Sequence, residues 1–116
     1  MQIPLQIAFH QLPPSPALEY VIRQRAEELD ALFGGIISCR VAVESPHRHH
    51  HQGQLYRVCI EIGVPGERIV VDRSPDEHAA HADAHLAVRD AFRAARRRLE
   101  EHVRRQQRHA EPRGAL

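Results

Sequence analysis

The fold is decided by residues 55–73, whose sequence is LYRVCIEIGVPGERIVVDR. Every second residue from Tyr56 to Val64 is apolar or aromatic, and residues 68–73 alternate in the same way. An alternation of period two is typical of strands that bury one face. The Pro-Gly pair between the two runs favours a tight turn. The segment therefore predicts an antiparallel hairpin with one apolar face.

Two more segments, residues 2–9 and 36–45, alternate in the same way and add two strands to the sheet. The strand at 36–45 is expected to pair with the strand at 55–64. A register that places Val41 opposite Val58 keeps both apolar rows on one side of the sheet. The expected sheet thus has four strands and a single apolar face.

Two helices are predicted, one after the first strand and one after the last. Ser15 can cap the free N–H groups of a helix and Pro16 suits its first turn, so the first helix begins there and ends at the Gly34-Gly35 pair. The second helix runs from near residue 80 to residue 108. Apolar residues recur at helical spacing in both. In the first helix they are Leu18, Val21, Ile22, Leu29, Leu32 and Phe33. In the second they are Ala84, Val88, Ala91, Phe92, Ala95, Leu99 and Val103.

The element order β-α-β-β-β-α predicts an α+β fold. Hairpin-linked strands imply a mostly antiparallel four-stranded sheet, and its apolar face must be covered by both helices. We therefore expect a two-layer sandwich in which residues 1–108 form a single domain. Residues 109–116 are polar, contain Pro and Gly, and are predicted to be a flexible C-terminal tail.

The composition excludes several classes of protein. The 116 residues are 42% hydrophobic and 27% charged, which is ordinary for a globular domain. No apolar run approaches the roughly 18 residues that a membrane span needs. The N-terminus lacks the basic and apolar regions of a secretory signal. Two cysteines in such a chain fit a reducing compartment, so we expect a cytoplasmic protein without membrane contact.

Positive charge is concentrated near the C-terminus. Residues 1–88 hold 7 Arg and 11 acidic residues, a balance of −4, whereas residues 89–108 hold 8 Arg and 3 acidic residues, a balance of +5. Five arginines of the second helix fall within about 100° of one another, opposite its apolar stripe. They are Arg89, Arg93, Arg96, Arg97 and Arg104. Such a face can neutralise several phosphates, which favours a nucleic-acid partner.

Two other interpretations of these arginines stay open. The face could be a solvated one, stabilised by ion pairs such as Glu100–Arg104 and Glu101–Arg105. The chain also contains no Lys at all, so codon usage could have replaced Lys by Arg throughout. Eight arginines against three acidic residues nevertheless exceed what pairing requires.

Arg25 falls within the apolar stripe of the first helix, where a charge is costly unless it reaches an edge or finds a partner. One interpretation is that it reaches the rim between the two helices and extends the basic surface. The other is a structural ion pair with an acidic residue such as Asp83 or Asp90. The sequence does not decide between them.

Ten histidines are a high number for this length. Residues 46–54 are predicted as an exposed, His-rich loop, and a second group lies near the start of the last helix. The weak candidates for metal ligands are His49, His50, His51, His81 and His85. The HExxH order is absent and a loop lacks the rigidity of a closed site, so no resident metal or cofactor is expected.

Two further sets of motifs are missing from the sequence. It holds no nucleophile elbow, no phosphate-cradling Gly-rich loop and no Cys–His pair with an orienting acid, so an enzyme is not expected. It also lacks zinc-finger and helix-turn-helix patterns, and its 2 Tyr and 3 Phe are too few for a base-stacking platform. What remains is a protein that recognises the backbone and shape of folded RNA.

The helices carry a family resemblance. Residues 81–92, HADAHLAVRDAF, and residues 95–100, ARRRLE, are similar to the last helix of the ribosome hibernation-promoting factor family, which includes ribosome-associated inhibitor A and the sigma-factor modulation proteins. Residues 15–18, SPAL, resemble the family's first helix, and residues 39–44, CRVAVE, resemble a subgroup with the same His-rich loop. The resemblance extends over about residues 3–105 in the same element order.

This resemblance implies a β-α-β-β-β-α sandwich similar to a double-stranded-RNA-binding domain. It implies a translation inhibitor that binds the small ribosomal subunit and its rRNA, blocks the mRNA and tRNA sites and preserves idle ribosomes. The sequence does not give the oligomeric state, and a monomer on the ribosome is favoured. The family's contacts are basic side chains of both helices, and Asp83 matches the acidic residue that caps the last helix. The resemblance matches Arg25 and Arg97 to positions where the family usually carries a basic residue. With these two, the RNA-contact candidates are Arg23, Arg25, Arg89, Arg93, Arg96, Arg97 and Arg104. A general double-stranded-RNA-binding protein and a His-rich metal-binding protein remain as alternatives.

Overall fold

The structure is a computed structural model that describes residues 4–45, 48–49, 53–54, 56–73 and 83–110. These residues form six strands and two helices. In chain order they are β1 (Leu5–His10), α1 (Pro16–Leu32), β2 (Ser38–Glu44), β3 (Arg48–His49), β4 (Gly53–Gln54), β5 (Arg57–Val64), β6 (Glu67–Arg73) and α2 (Ala84–Ala110).

Four strands form one sheet in the order β1-β2-β5-β6. β2, β5 and β6 pair antiparallel, as the hairpin pattern predicts. β1 pairs parallel with β2, because α1 crosses the sheet between them and returns the chain in the same direction. α1 and α2 contact each other and contribute to the same core, on one face of the sheet. The predicted α+β sandwich is confirmed, with a parallel strand at one edge of a mostly antiparallel sheet.

The register between β2 and β5 differs from the predicted one by two residues. Val41 lies opposite Ile60, and Val58 lies opposite Val43. A shift of two residues leaves every apolar side chain on the same face, so the alternation alone could not distinguish the two registers.

The His-rich link between β2 and β5 contains local pairing. β3 and β4 form a short antiparallel ladder that places Arg48 opposite Gln54 and His49 opposite Gly53. The predicted loop is therefore partly a small second hairpin. The other positions of residues 46–54 lie outside the described part of the chain.

The core lies between the sheet and the two helices. Its largest fully buried side chains are Leu18, Ile22, Val41, Val43, Val58, Ile60, Ile62, Ile69, Val88 and Leu99. Burial of each aliphatic side chain of this size stabilises the fold by about 1.5–3 kcal/mol. Packing against the sheet therefore fixes the orientation of both helices and the position of their outer faces.

Helix α1 begins as the sequence predicts. The Ser15 Oγ accepts a hydrogen bond from the Leu18 N–H at 3.2 Å, and Pro16 occupies the first turn. Leu32 was expected in the core, but it is 55% exposed. It lies in the last turn, rotated by about 80° from the centre of the buried stripe, and so reaches only the rim of the core.

Helix α2 begins at Ala84, four residues after the predicted start. The Asp83 Oδ1 caps it by accepting hydrogen bonds from the backbone N–H of His85 at 2.8 Å and of Leu86 at 3.4 Å. The helix continues to Ala110, two residues beyond the predicted end, and residues 111–116 lie outside the described part. No helix in the described part is long and apolar enough to cross a membrane.

Candidate nucleic-acid interface

The face of α2 that points away from the sheet carries the five arginines expected there. Each of them is exposed, and the apolar stripe on the other side of the helix is buried. They are Arg89, Arg93, Arg96, Arg97 and Arg104. The helix thus holds its cationic groups in solvent while its opposite side anchors them to the core.

The acidic residues of α2 neutralise little of this face. Glu100 pairs with Arg96 at 3.4 Å, whereas the solvated-face interpretation expected a pair with Arg104. The expected pair of Glu101 with Arg105 is present at 3.9 Å, but Arg105 lies on the flank of the face. Exposed ion pairs of this kind contribute little stability. Four of the five arginines have no carboxylate partner among the described residues.

A groove between α1 and α2 collects four of the candidate arginines. We call it the interhelix groove; it has a volume of about 290 Å³ and a floor formed by Leu29 and Phe92. Leu32 lies on its rim, which accounts for the exposure of that side chain. Its arginines are Arg25, Arg89, Arg93 and Arg96, and its acidic lining residue is Glu28. Four positive charges against one negative charge make the groove suited to an anionic ligand.

Arg25 reaches the rim between the helices, which is the first of the two interpretations. Its Nη1 lies 3.4 Å from the Glu28 Oε1, and 41% of its side chain is exposed. It therefore extends the basic surface, and its ion-pair partner comes from its own helix rather than being Asp83 or Asp90.

A second groove lies between α2 and β6, beside the interhelix groove. We call it the sheet-edge groove; its volume is about 600 Å³. The arginines that line it are Arg73, Arg97, Arg98 and Arg104, and the acidic residues are Asp72, Glu100 and Glu101. The single arginine face expected from the helix pattern is thus divided between two grooves.

Arg73 is a lining residue that the sequence analysis missed. It ends β6 on the inner face of the sheet, two residues after the buried Val71. The alternation that predicts inward-facing Ile69 and Val71 could have identified Arg73, because every second residue of a strand lies on the same face.

Arg23 is not brought together with the other candidates. It lies only two positions from Arg25, which places it about 160° away around the axis of α1. It is exposed, and its Nη2 lies 3.8 Å from the Glu19 Oε1. Arg23 lines neither of the two grooves.

The metal-ligand candidates do not form a described site. His85 is exposed at the start of α2, and only the backbone of His49 is described. His50, His51 and His81 lie outside the described residues. Among the residues that are described, no three His, Cys, Asp or Glu side chains are grouped as a metal ion requires.

His102 has a role that no sequence motif indicated. It is a buried residue of α2, and its Nδ1 lies 2.9 Å from the Glu67 Oε1. Arg105 contacts the same carboxylate, with its Nη2 2.8 Å from the Glu67 Oε2. The hydrogen bonds from His102 and Arg105 hold the pKa of Glu67 below its ordinary value. These contacts attach α2 to the start of β6.

Comparisons with known proteins agree with this architecture. The fold is similar to the N-terminal domain of Thermus thermophilus Protein Y, with a TM-score of 0.65 and 15% identity over 85% of this chain and 98% of that one. It is also similar to a ribosomal subunit interface protein from Coxiella burnetii, with a TM-score of 0.68 and 13% identity over 86% of this chain and 97% of that one. A comparison with curated proteins gives no match.

A family model described as Sigma 54 modulation protein / S30EA ribosomal protein matches residues 5–107. That match covers both helices and the whole four-stranded sheet. It agrees with the resemblance found in the sequence of the two helices. The chain therefore belongs to the Sigma 54 modulation protein / S30EA ribosomal protein family, a membership that indicates a ribosome-associated, non-enzymatic protein.

Proposed function

We propose that this protein binds the small ribosomal subunit through the arginines of α1 and α2, blocks the mRNA and tRNA sites and so silences translation. The observation that carries the proposal is the interhelix groove, where four arginines face one acidic residue. In this proposal residues 1–108 act as one RNA-binding domain in the cytoplasm.

The chemistry of the groove suits RNA phosphates. A guanidinium group donates two parallel hydrogen bonds to a phosphate and keeps its charge at every physiological pH. The protein's net charge is only +1, so its attraction to RNA must come from the local concentration of arginine rather than from the whole chain. Binding through such contacts falls steeply with salt concentration.

In this proposal the protein inhibits translation by occupying the mRNA and tRNA sites, and it catalyses no reaction. α2 has 27 residues, which gives a rod about 40 Å long that the sheet holds in one orientation. A rigid domain of this kind needs little ordering when it binds, so the binding energy of its arginines is largely retained. A channel that holds the domain has no room for mRNA and tRNA at the same place.

The first experiment is co-sedimentation of the protein with small subunits and with intact ribosomes at two salt concentrations. We expect a one-to-one complex that weakens at the higher salt and is displaced by mRNA together with tRNA. A double variant, Arg93→Glu with Arg97→Glu, should lose the complex and keep its thermal unfolding temperature. The matched control is Arg40→Glu with Arg68→Glu, which changes the net charge equally at two exposed strand positions that line neither groove. Equal binding by the two double variants would refute the arginine surface as the binding site.

General binding to double-stranded RNA is the second candidate. It is favoured by the cationic lining of the interhelix groove, which suits recognition of a phosphate backbone and not of individual bases. The two functions separate in a competition experiment. If the proposed function is correct, a moderate excess of free duplex RNA should leave the ribosome complex intact. If the protein binds double-stranded RNA in general, the same excess should dissociate the complex.

A further inference from the structure

We infer that the face of the sheet opposite to the helices binds a second copy of this chain, so that two free molecules pair face to face. This face, which we call the open sheet face, consists of the outward-pointing residues of β1, β2, β5 and β6. The inference goes beyond the proposed function, because it concerns the protein away from the ribosome and uses none of the arginines of α1 or α2.

The open sheet face is not covered by any helix or strand of the described part of the chain. Both helices pack on the other face, where the core lies. Every second residue of the strands points away from that core. In β2 and β5, Arg40 is exposed, and Ala42, Cys59 and Glu61 are half-buried. The face is therefore accessible to a partner.

One end of the open sheet face is a basic dish. Arg40 and Arg68 line this depression of about 300 Å³, Glu61 is its acidic lining residue, and Gly63 contributes no side chain to it. Neither arginine has a carboxylate partner among the described residues. The Arg40 Nε donates instead to the Gln6 Oε1 at 3.1 Å. The dish therefore carries a charge of +1 and has room for a side chain from outside.

The other end of the same face carries an acidic cluster of three long side chains. The Arg57 Nε donates to the Asp72 Oδ1 at 2.9 Å, and its Nη1 pairs with the Glu44 Oε1 at 3.3 Å. One guanidinium group thus compensates only one of two carboxylates, and the cluster keeps a charge of −1. The two ends of the face are therefore opposite in charge.

Small side chains separate the two ends. Ala42 lies opposite Ala8 on one side and opposite Cys59 on the other, so a row of small residues crosses three strands. Two sheets that pack face to face lie about 10 Å apart, a distance that long side chains in this row would prevent. The middle of the face thus permits the close approach of a second sheet.

A two-fold rotation makes the face complementary to itself. The β2–β5 ladder runs from the Ser38–Gly63 pair to the Glu44–Arg57 pair, and its midpoint is Val41. A two-fold axis above this midpoint, parallel to the sheet and perpendicular to the strands, places each basic dish against the acidic cluster of the second copy. The same patch serves both copies, as in the common symmetric dimers. Opposite charges then meet at both ends of the interface.

The size of the face predicts weak pairing. Four strands at their usual spacing, each about six residues long, cover an area of about 20 Å by 20 Å. Two copies would therefore bury about 800 Å² in total, which is typical of transient contacts. We expect the pair to form at high protein concentration and to weaken as salt screens its charges. Both helices stay on the outside, so each copy keeps its interhelix groove accessible.

The test is sedimentation velocity of the full chain over a concentration series from micromolar to millimolar, at low and at high salt. The parent protein should shift from one mass towards twice that mass as its concentration rises, and less so at high salt. Two-dimensional NMR spectra over the same series locate the contact. The signals of Ala42 and Cys59 should move with concentration, and those of Arg23, on the far side of the molecule, should not.

Two double variants test whether the two ends of the face meet. Arg40→Glu with Arg68→Glu makes both ends acidic. Glu44→Gln with Asp72→Asn makes both ends basic and keeps oxygen acceptors for Arg57. Each variant alone should pair about tenfold or more weakly than the parent, because like charges face each other. An equal mixture of the two should pair again, because the dish of each variant then meets a cluster of opposite charge.

The control is Arg93→Glu with Arg97→Glu, which changes the net charge of the chain as much as the Arg40–Arg68 variant does but on α2. It should pair like the parent protein and fail to bind ribosomes. The Arg40–Arg68 variant should do the opposite in the co-sedimentation experiment. Pairing and ribosome binding are therefore lost in different variants, so the failure of this inference is distinguishable from the failure of the proposed function.

Three outcomes would overturn the inference. The parent protein could stay at one mass over the whole series, which excludes a second copy as the occupant of the face. The mixture of the two variants could stay unpaired, which means that the two ends do not meet. Finally, a monomeric parent together with loss of ribosome binding by the Arg40–Arg68 variant would assign the open sheet face to the ribosome.

Discussion

The arginines of α2 divide into two groups that differ in what their guanidinium groups contact. Arg98 and Arg105, on the flank of the helix, donate to groups of β6: the Val70 carbonyl oxygen and the Glu67 carboxylate. Arg93 and Arg97, on the outer face, have no acceptor among the described residues. Arginines that are close in sequence thus have different roles. Arg98 and Arg105 stabilise the fold, whereas Arg93 and Arg97 remain available to a ligand. The angular position around the helix decides which group a residue joins.

The largest effect on stability is expected where α2 is attached to β6. His102→Ala removes a buried ring and its contact with the Glu67 carboxylate, so the free energy of unfolding should fall by about 1–3 kcal/mol. Urea unfolding followed by circular dichroism measures it. His85→Ala, at an exposed histidine of the same helix, is the control and should change the free energy by less than about 0.5 kcal/mol. Equal effects of the two changes would show that the contact with Glu67 is not a stabilising attachment.

A smaller change in the free energy of unfolding is expected to distinguish the two groups of arginines. Arg98→Met removes the hydrogen bond to the Val70 carbonyl oxygen, and we expect a loss of about 0.5–1 kcal/mol in the free energy of unfolding. Its neighbour Arg97, changed to Met in the same way, should leave the free energy of unfolding within about 0.5 kcal/mol of the parent protein. The comparison fails if Arg97→Met costs as much as Arg98→Met in the same urea titration.

The dependence of stability on pH at acidic values tests the contact between α2 and Glu67 in a further way. The pKa of Glu67 is lowered from its ordinary value of 4.5, first by the hydrogen bond with His102 and then by the one with Arg105. A lowered pKa in the folded state means that the ionised carboxylate contributes stability above pH 4.5. That contribution disappears as the pH falls through the lowered value.

Glu67→Gln tests this expectation through thermal unfolding temperatures measured between about pH 5 and about pH 2.5. The parent protein should be the more stable at the upper end, and the difference should shrink towards the lower end. Glu101→Gln, which has only the exposed pair with Arg105, should track the parent across the range. A difference for Glu67→Gln that stays constant with pH would contradict the assigned role of the carboxylate.

Most of the fold could be predicted because its signals are local. The Ser15 cap and the alternating strands each depend on neighbours within a few residues, and all were correct. The register of β2 against β5 was wrong by two residues, because Val41 finds an apolar partner at the correct face in either register. Leu32 was wrongly expected in the core, because the spacing of a helix does not tell where its partner surface ends.

The candidate site was predictable only in part, for a similar reason. The five arginines of one helix face follow from helical spacing, and Arg25 was identified by its place in an apolar stripe. The division of that face into two grooves depends on where α1 and β6 lie, which the helix pattern does not contain. The contact of Glu67 with His102 joins residues 35 positions apart, and no local pattern indicates such a pair.

The parallel pairing of β1 with β2 also sets an order of assembly. β5 and β6 are joined by the two-residue turn at Pro65 and Gly66, whose φ of +81° glycine adopts without strain, so their pairing closes a very short loop. β1 pairs with residues 34 positions later and must wait for the chain between them to close a much longer loop. We therefore expect the sheet to form first at the β5–β6 hairpin and to add β1 last. Stopped-flow kinetics of Ile7→Val, in β1, should show faster unfolding with a nearly unchanged folding rate.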